Sequence, residues 1–450
     1  METRLDQIFH PVGHGTFLTG RAHSRDGQSS FTWAYDCGSK RPNRIKAAID
    51  GLASGQWGRH WAQGKDINLF VLSHFDDDHV NGVEKFLTTW TIRWLALPFT
   101  DLAQKLAVAA GLTGESCSSS TALFQLYPSH WLAVRGLAER VETILEVEGG
   151  IAKDLPNDPE RGGSRQDLNP PRDAGGPFEE HTPRREARRD LEQNWATDLG
   201  SQIVPLSMGP LSKDAGPLVA KLNHSRPFRV INTNLEFMFY NSDQPDVCRS
   251  LPTGERVARR SGATMSAVDS EIQDIVKRYR VGLPNHKPKP HWRDKLRSIY
   301  DKHFGQSAKA RNNISLCLLT RMIRPCDYFC PLCAVHGTRH PQPHVATLLL
   351  GDLKVDSLTI QSMAKHFGSQ RWRRLSVVQV PHHGSALSWK PGNARLLQAA
   401  TYVQCVPDTS PYHPHKDVVA DIGARRIKRA DYRSGLLLSY HRCRFLIYDI

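Results

Sequence analysis

Ser73-His74-Phe75-Asp76-Asp77-Asp78-His79 follows directly on the apolar run that begins at Ile67. Four potential metal ligands, His74, Asp76, Asp78 and His79, fall within six residues. A chain leaving a strand into a tight loop can point residues i, i+2, i+4 and i+5 at one spot. Neutral imidazole and carboxylate both suit a dication. The competing reading is an exposed acidic loop with two incidental histidines. A buried strand before the loop (67–74) and a helix opening after it (79–87) favour the ligand reading.

Outward from this loop the chain reads as α/β. Strands are expected at 31–39, 92–98, 228–240, 314–322, 344–353, 375–385, 399–406 and 435–450. Helical spacing of Leu132, Val134, Leu137, Val141 and Leu145 places a helix within 101–148. Residues 150–190 are rich in Gly, Pro, Arg and Asp, the composition of a flexible insertion. A second helix is expected from Ala263 to Arg280, followed by a basic stretch to Arg311. The expected organisation is a first half of the fold at 1–100, a helical and partly disordered insertion at 101–225, and a second half at 226–450. The second half carries a basic insertion at 243–310 and a Cys/His knuckle at 326–344.

The chain has 450 residues, 39% of them hydrophobic, which suffices for a large core. The opening residues METRLDQIFHP carry charges and no apolar run, and no stretch approaches the length of a bilayer span. The expectation is therefore a cytoplasmic protein without membrane contact. Nine cysteines are too few for a disulfide scaffold. Cys326, Cys330, Cys333 and His336 form a set with the composition of a structural zinc site, for which His340 and His344 could compete with His336. Buried free thiols are the alternative.

A net charge of +14 favours polyanionic partners. Between Lys277 and Arg311 stand eleven Lys or Arg against Asp294 and Asp301, with Tyr279, Trp292, Tyr300 and Phe304 interleaved. Cations neutralise phosphates and aromatics can stack on unpaired bases, so Lys287, Lys289, Trp292, Arg293 and Arg297 are candidate nucleic-acid contacts. A solvated helix face with core aromatics would look the same. Arg371-Trp372-Arg373-Arg374 and the Arg425–Arg429 run add to the basic inventory.

The loop resembles the HxHxDH signature of the metallo-β-lactamase superfamily, with Asp76 at the second His position. That HxDxDH form is similar to the one in ComEC-like hydrolase domains. Further elements follow in the family's order: PVGHGTFL (11–18), YDCGS (35–39), RNNISLCLL (311–319), LLLGDL (348–353), VPHHGS (380–385) and PYHPHKDVV (411–419). His14 and Thr16 stand where the family has Gln and Asp, and Tyr412 where Gly is usual. The resemblance implies an αββα four-layer sandwich of the metallo-β-lactamase fold with large insertions. It also implies a hydrolase with two divalent cations at the active site.

On that basis His74 and Asp76 would hold one cation, Asp78 and His79 the other, with Asp352 bridging. His382 is the favoured further ligand and His383 a substrate-facing donor. His413 would donate to a phosphoryl oxygen or a leaving group, or else brace a proline turn. Asn313 or a water would complete the first site. The extra carboxylate hardens the site, so manganese rivals zinc. Two such cations lower the pKa of a shared water to give the attacking hydroxide and clamp phosphate oxygens. The leading expectation is a phosphodiester hydrolase, a nuclease acting on DNA, alone or with a protein partner in a multi-subunit system. The alternatives are a small-molecule esterase, lactonase or phosphodiesterase, and a non-catalytic nucleic-acid-binding subunit.

Overall fold

A computed structural model describes residues 3–24, 30–64, 66–112, 117–149, 216–225, 227–230, 235–242, 248–305, 314–322, 346–441 and 444–450. The knuckle of Cys326, Cys330, Cys333 and His336, the 150–190 segment and Asn313 lie outside these residues. Among the described residues no helix is long and apolar enough to cross a membrane.

The strands are β1 (Thr3–Phe9), β2 (Leu18–Ser24), β3 (Ser30–Tyr35), β4 (Asp66–Val71), β5 (Thr91–Pro98), β6 (Val141–Glu148), β7 (Leu218–Asn223), β8 (Phe228–Val230), β9 (Leu235–Tyr240), β10 (Cys248–Ser250), β11 (Arg256–Ala258), β12 (Cys317–Met322), β13 (Ala346–Leu349), β14 (Leu375–Gln379), β15 (Thr401–Cys405), β16 (Ile427–Ala430), β17 (Leu436–His441) and β18 (Arg444–Asp449). One sheet runs β18-β17-β1-β2-β3-β4-β5-β6-β7, a second runs β16-β15-β14-β13-β12-β9-β8, and β10 and β11 form a small hairpin. Strands β3 to β7 are parallel to one another, as are β13 to β16. Parallel strands are buried on both faces, which explains their near-continuous apolar runs.

Alternation sorts each strand between two cores. Trp33, Tyr35, Leu69, Val71, Trp94 and Ala96 face the second sheet and meet Phe237, Leu318, Leu349, Val377 and Val403 there. Ala34, Phe70, Leu95 and Leu97 face the other way, into a core shared with helices on the outside of the first sheet. Leu348, Val378 and Tyr402 do the same on the outside of the second, against the helix Ser357–Phe367. The layers are thus helix, sheet, sheet, helix, the expected αββα sandwich.

Two expectations fail in detail. Residues 141–148 form strand β6, not helix; the α-helix before them ends at Ala133, and only a 3-10 turn at Ala138–Arg140 intervenes. The Leu132-to-Leu145 spacing fits a helical stripe by coincidence, because a parallel strand buries both faces and so offers apolar residues at any period. Together with β7, this strand extends the first sheet, so 101–225 is not wholly an insertion. Strands β17 and β18 return to the first sheet, where β17 pairs with β1, so the stretch 226–450 contributes to both sheets.

The basic insertion packs back onto the first half. Helices Met265–Tyr279 and Trp292–His303 bury Val268, Ile272, Val276, Leu296 and Tyr300 in the outer core of the first sheet. Trp292, Tyr300 and Phe304 are buried there, which removes them as base-stacking platforms: apolar area of that size is more stable inside than in water. Arg371 is buried too, and with Arg321 it grips Glu236. It belongs to the interior and not to a basic surface.

Candidate metal centre

The loop 73–79 leaves the carboxyl end of β4, the edge at which parallel α/β sheets place their ligands. The YDCGS element holds it down. Cys37 N–H donates to the His79 carbonyl over 2.7 Å, Gly82 N–H to Cys37 over 2.8 Å, and Thr16 N–H to Asp78 over 3.3 Å. A Cβ at Gly38 would collide with the Asp78–His79 peptide, so only glycine permits this approach. Gly351 plays the same part beside Asp352: its φ is +54°, and a Cβ there would strike Ser315 and Ser73.

Eight expected residues converge. His74 Nε2 lies 3.2 Å from Asp76 Oδ2 and 3.8 Å from Asp352 Oδ2. His79 Nε2 is 3.2 Å from Asp352 Oδ1, and His383 Nε2 is 3.3 Å from Asp78 Oδ2. His382 Nδ1 is 3.7 Å from Asp352 Oδ2. The His413 ring sits 6.5 Å from that of His382. Two sets of ligand atoms each fall within 4.8 Å: His74, His79 and Asp352, and Asp78, His79 and His383.

The sorting differs from the expected one. His383, not His382, joins Asp78 and His79. His79 is common to both sets, and Asp352 groups with His74 and His79. The cause is backbone geometry: His382 and His383 both adopt left-handed conformations, at φ 48° and 56°, which turn the second imidazole inward. Side chain His383 is buried, while His382 is partly open to solvent.

Three residues complete the centre that the sequence does not mark as ligands or donors. Asp36, wholly buried, accepts from His79 Nδ1 at 2.7 Å, from Ser73 N–H at 2.7 Å and from Ser73 Oγ at 2.8 Å. His14 sits with its ring 5.3 Å from that of His383 and 5.7 Å from that of His413. Lys40 Nζ stands 3.8 Å from Asp78 Oδ2. Asp36 lies inside the YDCGS element, yet nothing local signals that its partners are Ser73 and His79.

The arrangement fits divalent cations. Bonds on one ring nitrogen leave the other turned to a carboxylate: His79 Nδ1 is taken by Asp36 and His383 Nδ1 by the Cys405 carbonyl at 2.8 Å, while Nε2 faces Asp352 and Asp78 respectively. His74 Nε2 and His79 Nε2 are buried without a hydrogen-bond partner, each facing carboxylate oxygen. Burial pushes the His74 imidazole down, but Asp76 and Asp352 outweigh it and raise it to about 8. For His79 burial is likewise overcome, by Asp352 and Asp36, and its pKa stands well above the usual range. Against burial, His79 and His74 hold the Asp352 carboxyl well below its usual range, and His383 and His79 lower that of Asp78. Concentrated negative charge thus retains protons on imidazoles that a dication would displace. Burial, and then the neighbouring His383, push His14 to about 3 and His413 to about 4, so both are neutral near pH 7.

A narrow pocket opens from this cluster, lined by Asp76, Thr100, Gln125, Asp352, Lys354 and His382. Gln125 comes from the helix Ser119–Leu126, whose Ser118 N–H donates to Asp77 Oδ1 and Oδ2 at 3.1 Å. The loop 73–79 and that helix are therefore joined.

The candidate nucleic-acid residues lie one step further out. Lys287 and Lys289 are exposed. Arg297 Nε donates to the Ala110 carbonyl over 2.9 Å, while Arg293 bonds the Cys117 carbonyl and lies over the Trp292 ring. These two arginines anchor the insertion to the chain segment that precedes Ser118.

No protein-family model matches the chain, and no curated protein does. Among solved structures it is similar to the metallo-β-lactamase fold protein YhfI from Bacillus subtilis, at 8% identity and a TM-score of 0.33, covering 96% of this chain and 98% of that one. It is also similar to a long-form RNase Z from yeast, at 9% identity and a TM-score of 0.38, covering all of this chain and 50% of that one. This chain thus spans half the length of the yeast protein. These likenesses concern the fold alone; the αββα architecture stands on its own sheets and layers.

Proposed function

We propose that the chain is a metal-dependent phosphodiester hydrolase, a nuclease with DNA as its substrate. The observation that carries this reading is the meeting of His74, Asp78, His79, Asp352 and His383, residues from separate parts of the chain, at one oxygen-rich spot. Two divalent cations, zinc or manganese, would supply there a water of lowered pKa and a clamp on phosphate oxygens.

The chain's own residues supply the rest. His74 and His79 with Asp352, and Asp78 and His79 with His383, are the two ligand sets, and Asp76 adds a carboxylate beside His74. Asp36 orients His79. Neutral His413 and His14 each offer a ring N–H to a phosphoryl oxygen, and Lys40 can pair with a phosphate once it leaves Asp78. The exposed Lys287 and Lys289 extend positive charge beyond the centre, which suits a polyanion longer than a single phosphodiester.

The test is metal analysis of the purified chain joined to a cleavage screen on single- and double-stranded DNA, RNA and small phosphodiesters, with zinc and with manganese. Cleavage of DNA by the wild type, lost in Asp352→Ala and in Asp78→Ala with folding intact, supports the proposal. An active Asp352→Ala chain refutes the assignment of the centre.

A further inference from the structure

Away from the metal centre and sharing no residue with it, a cavity of about 300 Å³ lies on the outer face of β1 and β2. The turn 56–61 covers it, and Leu437 and Ile450 close one side. Its lining is mostly apolar, with Trp57 and Trp61 as the largest surfaces, yet Arg21 and His60 also face it.

The charges inside do not balance. Asp6 is engaged by Arg4, at 2.8 Å, and by Ser439 Oγ, at 2.6 Å. Arg21 is half-buried and its guanidinium makes no hydrogen bond or ion pair among the described residues; it feels Asp6 only at longer range, and burial disfavours its charge. His60 Nε2 is buried without a hydrogen-bond partner. An unpaired guanidinium beside apolar walls is costly unless an anion meets it, and its planar fork is matched to a carboxylate.

We propose that this cavity binds a small organic monoanion, a flat carboxylate, with Arg21 taking the carboxylate, His60 completing its contacts and the indoles of Trp57 and Trp61 covering the apolar body. Arg4 also lines the cavity but is paired with Asp6, so one uncompensated positive charge remains, which favours a monoanion over a phosphate. Burial, and then Arg21, push His60 down to about 4, so it adds a hydrogen-bonding nitrogen and no second charge near neutrality.

The test is fluorine NMR of the full chain carrying 5-fluorotryptophan, which gives one signal for each of its ten tryptophans. Trp57→Phe assigns the signal of interest. Benzoate is the probe, with benzyl alcohol and inorganic phosphate as controls. Benzoate should shift the Trp57 signal saturably, and benzyl alcohol should bind about tenfold more weakly or less, as expected without the charge-assisted hydrogen bond. Arg21→Gln should weaken benzoate by a similar factor while the other tryptophan signals stay in place, and Arg21→Lys should recover part of it. A Trp57 signal indifferent to benzoate, equal affinity for benzyl alcohol, a response to phosphate alone, or unaltered binding by Arg21→Gln would each overturn the proposal.

Discussion

Asp36 Oδ2 accepts the Nδ1–H of His79 over 2.7 Å, with both side chains wholly removed from solvent. The bond keeps a proton on Nδ1, so that Nε2 is the nitrogen that would give up its proton and turn a lone pair to a cation beside Asp352. Because it lies outside the ligand sets, it separates orientation from coordination.

Asp36→Asn should leave the chain folded and lower its affinity for zinc or manganese by about 10- to 100-fold, the usual cost of losing a partner behind a ligating histidine. One carboxylate oxygen becomes an NH2 that faces a donor, Ser73 or His79. Competition with a fluorescent chelator measures the change; an unaltered affinity would show that His79 needs no such support.

Lys287→Gln and Lys289→Gln together should weaken binding to duplex DNA and reduce the slope of log K against log salt, by about 0.9 for each phosphate that the variant no longer neutralises. Both side chains are exposed and neither holds the fold. Fluorescence anisotropy across a salt series gives the slope, and an identical slope in the variant would place DNA elsewhere. Arg293 and Arg297 are poorer probes, since their guanidiniums also tie the insertion to Cys117 and Ala110.

Burial drives His10 down to about 3, with its ring stacked on Phe17 and Nε2 2.8 Å from Thr19 Oγ1. Below about 6.5 the unfolded chain takes up a proton there that the folded chain refuses. Its contribution to stability is therefore intact above that value and is lost as pH falls toward 3. In urea titrations across this range, His10→Phe should show a shallower loss of stability with acid than the wild type. Parallel curves would mean that His10 does not carry this dependence.

Glu236→Gln should cost about 3–5 kcal/mol, because it leaves two interior guanidiniums short of their counter-charge. Glu236 receives Arg321 at 2.6 Å and Arg371 at 2.8 Å, and these two cations hold its carboxyl at about 2. A urea midpoint close to that of the wild type would contradict this.

Much of the candidate site was legible because ligand-type residues crowd around 74–79, 352 and 382–383 and the intervening strands are strongly apolar. Which histidine of the pair turns inward was not legible, for it depends on two successive left-handed residues that composition does not mark. Asp36 was hidden for another reason: its partners lie far along the chain, and a buried carboxylate in a turn gives no local sign of them. The Trp292-to-Phe304 aromatics were open to two readings, and packing against the first sheet decided between them. Leu132 to Leu145 misled because a strand buried on both faces mimics any period.

The pairing of β1 with β17 has a consequence for how the protein is made. Leu5 is registered with Tyr440, so β1 leaves the ribosome long before the strand that covers its outer edge. Until then that edge offers free peptide groups to any extended segment nearby, and non-local closure of this kind is slow. A nascent chain stalled before residue 436 should therefore need a chaperone over β1, however well the rest of its sheets have formed.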